Sequence, residues 1–146
     1  MAFSTIETRI SGGRGELVLN RPEKLNALDH TTLTELAEAA GWFDRRPEVK
    51  VLVVSGSGRA FSAGADVSGF EAEAPPAEQA RARADAGRLM AQAIESIRAV
   101  TVARIHGYCV GGAVVLAAAC DLRVAGESAV FSIPEVDLGI PLAWGG

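Results

Sequence analysis

Val51-Leu52-Val53-Val54 restricts the fold more than any other stretch: four consecutive apolar residues of strong β preference, in a position preceded by Pro47 and followed by a glycine- and serine-rich segment. A run with no polar alternation suits a strand buried on both faces, so helices must cover the sheet that contains it. Helical patterns do flank it. Asp29 offers an N-cap before a helix carrying Leu33, Leu36, Ala37, Ala40 and Phe43 on one face. A second helix is expected over 77–99, with Leu89, Ala93, Ile94 and Ile97 inward and Arg81, Asp85 and Arg88 solvated. Ahead of these, Thr5 to Ile10 and Glu16 to Leu19 read as a hairpin around Ser11-Gly12-Gly13-Arg14-Gly15. Strands are expected at 102–105, 122–125 and 129–131, with a helix apolar nearly all round over 111–119. The alternation gives an α/β architecture in one domain, residues 1–146.

Composition narrows the classes of function. Hydrophobic residues make up 49% of the 146 and the net charge is −4, without blocks of like charge. That pattern argues for a globular chain and against nucleic-acid or anionic-membrane partners. Cys109 and Cys120, the only cysteines, lie in apolar runs and read as buried reduced thiols. With His30 and His106 as the only histidines, no cluster has metal-ligand spacing, and no metal is expected. The start of the chain shows no signal-peptide pattern, so a cytoplasmic location is the default expectation. Gly56-Ser57-Gly58-Arg59-Ala60-Phe61 imitates the opening of a dinucleotide fingerprint, but Phe61 stands where a third small residue is needed.

Three segments carry candidate chemistry. Phe61-Ser62-Ala63-Gly64-Ala65-Asp66 and His106-Gly107-Tyr108-Cys109-Val110-Gly111-Gly112-Ala113 place small residues where a backbone N–H can touch a ligand. Gly111-Gly112 also opens a helix, whose first amides favour an anion. Phe131-Ser132-Ile133-Pro134-Glu135 supplies a carboxylate in apolar company, where burial would suit it to proton transfer. Each has a plainer reading as a surface turn, a tightly packed helix start or a solvated strand-end glutamate. Two bare amides and one carboxylate are the parts needed to hold a thioester enolate and move a proton beside it.

In that order, and with Asn20-Arg21-Pro22-Glu23-Lys24-Leu25-Asn26-Ala27-Leu28, Cys120-Asp121-Leu122-Arg123, Leu138-Gly139-Ile140-Pro141 and Gly145-Gly146, the chain resembles the crotonase superfamily, the enoyl-CoA hydratase/isomerase family. The resemblance implies a crotonase-like spiral of ββα units, truncated on its C-terminal side, since family domains continue beyond Gly146. It implies an oxyanion hole from the N–H groups of Ala63 and Gly112, with Glu135 as acid/base. Coenzyme A, part of the substrate rather than a separate cofactor, would lie along Lys24, Ala27, Leu28, Ala65, Asp66 and Val67. Asp66 is expected to organise its loop, Asp137 and His106 to be structural, and Trp144 either to wall the acyl pocket or to pack.

One position departs from the family's hydratases. Their other glutamate falls at Val115 here, and the partner carboxylates of dienoyl-CoA isomerases fall at Val115 and Ala143. A single carboxylate favours enoyl-CoA isomerisation over hydration. Decarboxylation, thioester hydrolysis or a non-catalytic acyl-CoA-binding subunit are the alternatives. The resemblance further implies a homo-trimer or hexamer for an intact protein.

Overall fold

The computed structural model describes residues 2–69, 76–142 and 144. The Glu71 to Pro75 stretch, Ala143 and Gly145-Gly146 lie outside the described residues. Strand β1 (Ile6–Ser11) pairs antiparallel with β2 (Arg14–Leu19). Their two-residue turn has Gly12 at φ 55° and Gly13 at φ 81°, the left-handed pair that a tight hairpin turn requires. Helix α1 (His30–Asp44) follows, capped by Asp29, whose side chain accepts from the Thr32 N–H. Strand β3 (Val51–Gly56), helix α2 (Ala77–Glu95) and strand β4 (Val100–Ile105) come next. The chain continues through β5 (Tyr108–Val110), α3 (Gly112–Ala119), β6 (Leu122–Ala125) and β7 (Val130–Ser132).

The main sheet has the order β1-β2-β3-β4-β6, parallel throughout except for the opening hairpin. Gly15, Leu17 and Leu19 on β2, Leu52 and Val54 on β3, and Thr101, Ala103 and Ile105 on β4 turn to one buried face. Helix α1 packs there: a Cβ on Gly15 would lie 2.8 Å from the Phe43 ring. The opposite face, with Val51 and Val53, is only half covered, so β3 is not enclosed on both sides as its composition suggests. Helix α1 also differs by one position, burying Ala39 where Ala37 is half exposed.

The larger correction is α2. It ends at Glu95, and its inward residues are Ala86, Gly87, Met90, Ala91 and Ile94, whereas Leu89 is 49% exposed. The helix is turned about its axis from the expected orientation, because Met90 and Ile94, both fully buried, form one stripe with small residues beside them.

A second, smaller parallel layer positions the site. β5 pairs with β7, and isolated bridges join Ser62 to Cys109 and Leu28 to Ala65. Across this layer the chain segments therefore run Leu28, Ser62–Ala65, β5, β7. Each turn of chain gives one strand to the main sheet and a short one to this layer: β3 then 62–65, β4 then β5, β6 then β7. That is the expected winding of ββα units. Leu122, Val124, Val130, Phe131, Val136, Leu138 and Ile140 are exposed apolar residues along β6, β7 and the segment after it. No helix among the described residues is long and apolar enough to cross a membrane.

Candidate active site

The carboxyl ends of the small layer meet the start of α3, and three distant segments converge at this corner. The first is the 63–66 loop. Gly64 has φ 86°, and a Cβ there would lie 2.4 Å from the Val110 carbonyl oxygen and 3.5 Å from the Gly112 nitrogen. Only glycine permits so close an approach to the start of α3.

The same left-handed residue interrupts the alternation of the strand. Ser62 N–H donates to Tyr108 (3.0 Å) and Ala63 N–H donates to the Leu25 carbonyl (2.9 Å). Beyond Gly64 it is Asp66, not Ala65, that donates to Leu28 (3.0 Å). Ala63 therefore does not offer the free amide expected of it, since its N–H already holds the neighbouring loop. Among the described residues, the Ala65 N–H meets no acceptor.

The second segment is Gly111-Gly112. Gly111, at φ 54°, takes the N-cap position of α3 without a side-chain cap, and its own N–H donates to Ser132 (2.8 Å). The first amides of a helix lack intrahelical acceptors, so Gly112 N–H meets none among the described residues. The third segment is Glu135, in the turn after β7. A Cβ on Gly111 would touch Glu135 Oε1 at 2.5 Å, so the carboxylate rests against bare backbone. Its Oε2 is buried and has no hydrogen-bond partner among the described residues. A buried carboxylate oxygen without a partner is uncommon and marks a place where a missing group belongs.

The supporting residues were less visible in the sequence. Asn26 is 1% exposed at φ 55°; its amide donates to the carbonyls of Ser57 (2.8 Å) and Ala60 (2.9 Å), and its Oδ1 accepts from Arg21 N–H (2.9 Å). Arg21 reaches Asp66 at 3.0 Å, Asp29 at 3.2 Å and the Ala27 carbonyl at 2.6 Å. An Asn between two turn residues, preceded by an unpaired-looking Arg, was the available signal for both. Asp66 organises its loop as expected. The Ser68 hydroxyl and N–H, then Arg21, hold its carboxyl down to about 2.

Lys24 Nζ lies 3.8 Å from Asp66 and remains half exposed, beside the exposed Ala65 and Val67. Leu28 is different. It is 2% exposed, and both its backbone groups bond to the 64–66 loop, so it shapes that loop rather than reaching outward. Ala27 likewise directs its carbonyl to Arg21 and its N–H to Lys24.

Val115 is buried on α3, and Asp137 is exposed. His106 Nε2 lies 2.8 Å from the Gly58 carbonyl, in keeping with a structural role. Cys109 and Cys120 are buried free thiols, pushed up to about 12 by loss of solvent. Trp144 packs its indole against both Gly112 and Gly87 of α2.

The chain is similar in sequence and fold to known proteins. The peroxisomal Delta(3,5)-Delta(2,4)-dienoyl-CoA isomerase of Arabidopsis thaliana is 37% identical over 85% of this chain and 48% of its own length. A crotonyl-CoA hydratase of Syntrophomonas wolfei is 35% identical over 100% of this chain and 56% of its own. The crystal structure of an enoyl-CoA hydratase from Shewanella pealeana superposes with a TM-score of 0.89 at 29% identity, covering 97% of this chain and 54% of that one. The chain thus spans about half the length of the relatives it matches. The enoyl-CoA hydratase/isomerase family profile matches residues 9–146, and the chain belongs to that crotonase-fold family.

Proposed function

We propose that this corner stabilises the enolate of an acyl-CoA thioester and that its reaction is enoyl-CoA isomerisation. The observation that carries the reading is Glu135: one oxygen lies against the bare Gly111 backbone at the start of α3 and, among the described residues, the other is buried without a partner, while the Gly112 and Ala65 amides of the same corner are unclaimed. The donors are the N–H groups of Ala65 and Gly112. Ala65 replaces Ala63 in this role because Ala63 is bonded to Leu25. Coenzyme A lies on the Lys24, Ala65, Asp66 and Val67 side, where an ammonium and exposed loop backbone are available.

The Glu135 carboxylate takes a proton from C2 of a 3-enoyl-CoA. The electron pair moves onto the thioester oxygen, where two backbone donors stabilise the charge. As the enolate collapses, the double bond forms between C2 and C3, and protonated Glu135 returns the proton at C4. One carboxylate completes this cycle. Hydration would need a second group to activate water, and Val115 is an apolar residue buried at the family's position for it.

Turnover of a 3-enoyl-CoA by Glu135→Gln tests the assignment. A positioned acid/base contributes about 10²–10⁴-fold, so the variant should lose at least ~100-fold while its thioester affinity changes little. A folded variant within tenfold of the parent refutes the role of Glu135. Hydration of a 2-enoyl-CoA as fast as isomerisation of a 3-enoyl-CoA refutes the single-carboxylate mechanism.

A further inference from the structure

Two backbone features that a chain ordinarily avoids meet at one side chain. Trp144 has φ 68°, in the left-handed region where a bulky residue is strained. Gly87 lies inside α2, a helix position where glycine is disfavoured relative to alanine. The indole links them. A Cβ on Gly87 would lie 2.1 Å from its Cγ and Cδ2, and a Cβ on Gly112 would lie 2.0 Å from its Cζ3. The ring therefore spans from α2 to the first residue of α3 and occupies the volume that ordinary side chains would take at both ends.

The order of the small layer says which part of a ligand this ring meets. Leu28 and the Lys24–Asp66 pair stand at one side, the Ala65 and Gly112 amides in the middle, and β7 with Glu135 at the far side. A thioester with its oxygen on the two amides and its nucleotide toward Lys24 directs its acyl carbons toward Glu135 and the indole.

We propose that Trp144 is the specificity-determining wall of the acyl site and restricts it to short, compact acyl groups. The inference rests on the acyl-CoA reading above. Gly87 and Gly112 are glycines because this wall needs both places. Two surface grooves elsewhere, one beside Arg9, Arg14 and Glu16 and one beneath Phe43, include no residue of this corner.

Calorimetric titration of the intact protein with butanoyl-CoA and octanoyl-CoA, both unreactive here, tests it. Four added methylenes would ordinarily tighten binding in an open apolar channel. Behind the wall, octanoyl-CoA should bind no tighter than butanoyl-CoA. Trp144→Ala should shift the ratio of the two Kd values at least ~10-fold toward octanoyl-CoA, the scale on which a pocket senses methylene groups. Trp144→Phe, which keeps an aromatic ring of shorter reach, should give an intermediate ratio and serves if the alanine variant does not fold. An unchanged ratio in the folded variants overturns the wall, as does a parent protein that already prefers octanoyl-CoA tenfold. Failure of the parent to bind either ester overturns the acyl-CoA reading itself.

Discussion

Replacing Asp66 by asparagine removes one charge from the clasp that holds the Ala65 loop, and the consequence depends on pH in a calculable way. Arg21 is 13% exposed at its side chain and lies between Asp66 at 3.0 Å and Asp29 at 3.2 Å. The Ser68 hydroxyl and N–H add two hydrogen bonds to the Asp66 carboxylate. Together they lower its pKa from the ordinary 3.8 to about 2. By linkage, such a difference contributes roughly 2.4 kcal/mol to the folded state. Half-exposed Lys24 shows that solvent reaches this edge, and screening trims the contribution to about 1–2 kcal/mol. Because the folded value is depressed, the contribution is full above about pH 4 and disappears as pH falls toward 2.

Asp66→Asn should therefore melt below the parent at pH 7 by about 2–8 °C, at roughly 2–4 °C per kcal/mol for a chain of this size. At pH 2.5 most of that gap should close, since the unfolded carboxyl, with its ordinary value of 3.8, is then almost fully protonated and the folded one, at about 2, has begun to take up its proton. Comparing the two proteins at each pH cancels the shared titrating groups that lie away from the clasp. Thermal melts followed by circular dichroism across pH 2.5–7 measure the gap directly. A gap of the same size at both ends of the range, or none at pH 7, refutes the clasp.

Two substitutions on α3 probe the reacting end. Gly112→Val places a branched side chain where even a Cβ would lie 2.0 Å from the indole of Trp144, and it obstructs the amide; turnover should fall at least ~100-fold, and near-normal turnover in a folded variant would show that this glycine serves packing alone. Val115→Glu adds a carboxylate at a site 4% exposed and should raise hydration of a 2-enoyl-CoA relative to isomerisation, with lower stability because the charge is desolvated; an unchanged ratio in a folded variant contradicts the role given to the missing glutamate.

Where the sequence was legible, the signal was local. The Gly12-Gly13 turn needs left-handed backbone and has it, and Asp29 caps α1 through Thr32 as its chemistry dictates. The inward face of α2 is not legible in the sequence because Ala86, Gly87 and Ala91 leave a faint apolar pattern, while Leu89 is conspicuous and exposed. Strand β5 leaves no sequence signal because three residues, Tyr108-Cys109-Val110, are too few to show a period inside a glycine-rich run. Ala63 and Ala65 are indistinguishable in a string of small residues. Only the left-handed turn at Gly64 and the partner at Leu25 decide which amide is free.

On the proposed reading, that last point explains how so plain a sequence can hold a reactive anion. Both proposed donors are backbone groups, and both are freed by a glycine beside them: Gly64 at φ 86° releases Ala65, and Gly111 at φ 54° begins α3 at Gly112. The side chains at Ala65 and Gly112 then matter mainly through their smallness. Specificity must come from what surrounds these amides. On one side Arg21, Asp29 and Asp66 fix the loop, and on the other the Trp144 ring rests on Gly87 and Gly112. Between them Glu135 is the one carboxylate aimed at the bare backbone of this corner, among the described residues. On the proposed reading, a chain built this way changes its substrate by altering the ring, or its reaction by gaining a carboxylate at Val115, without touching the two amides that would hold the enolate.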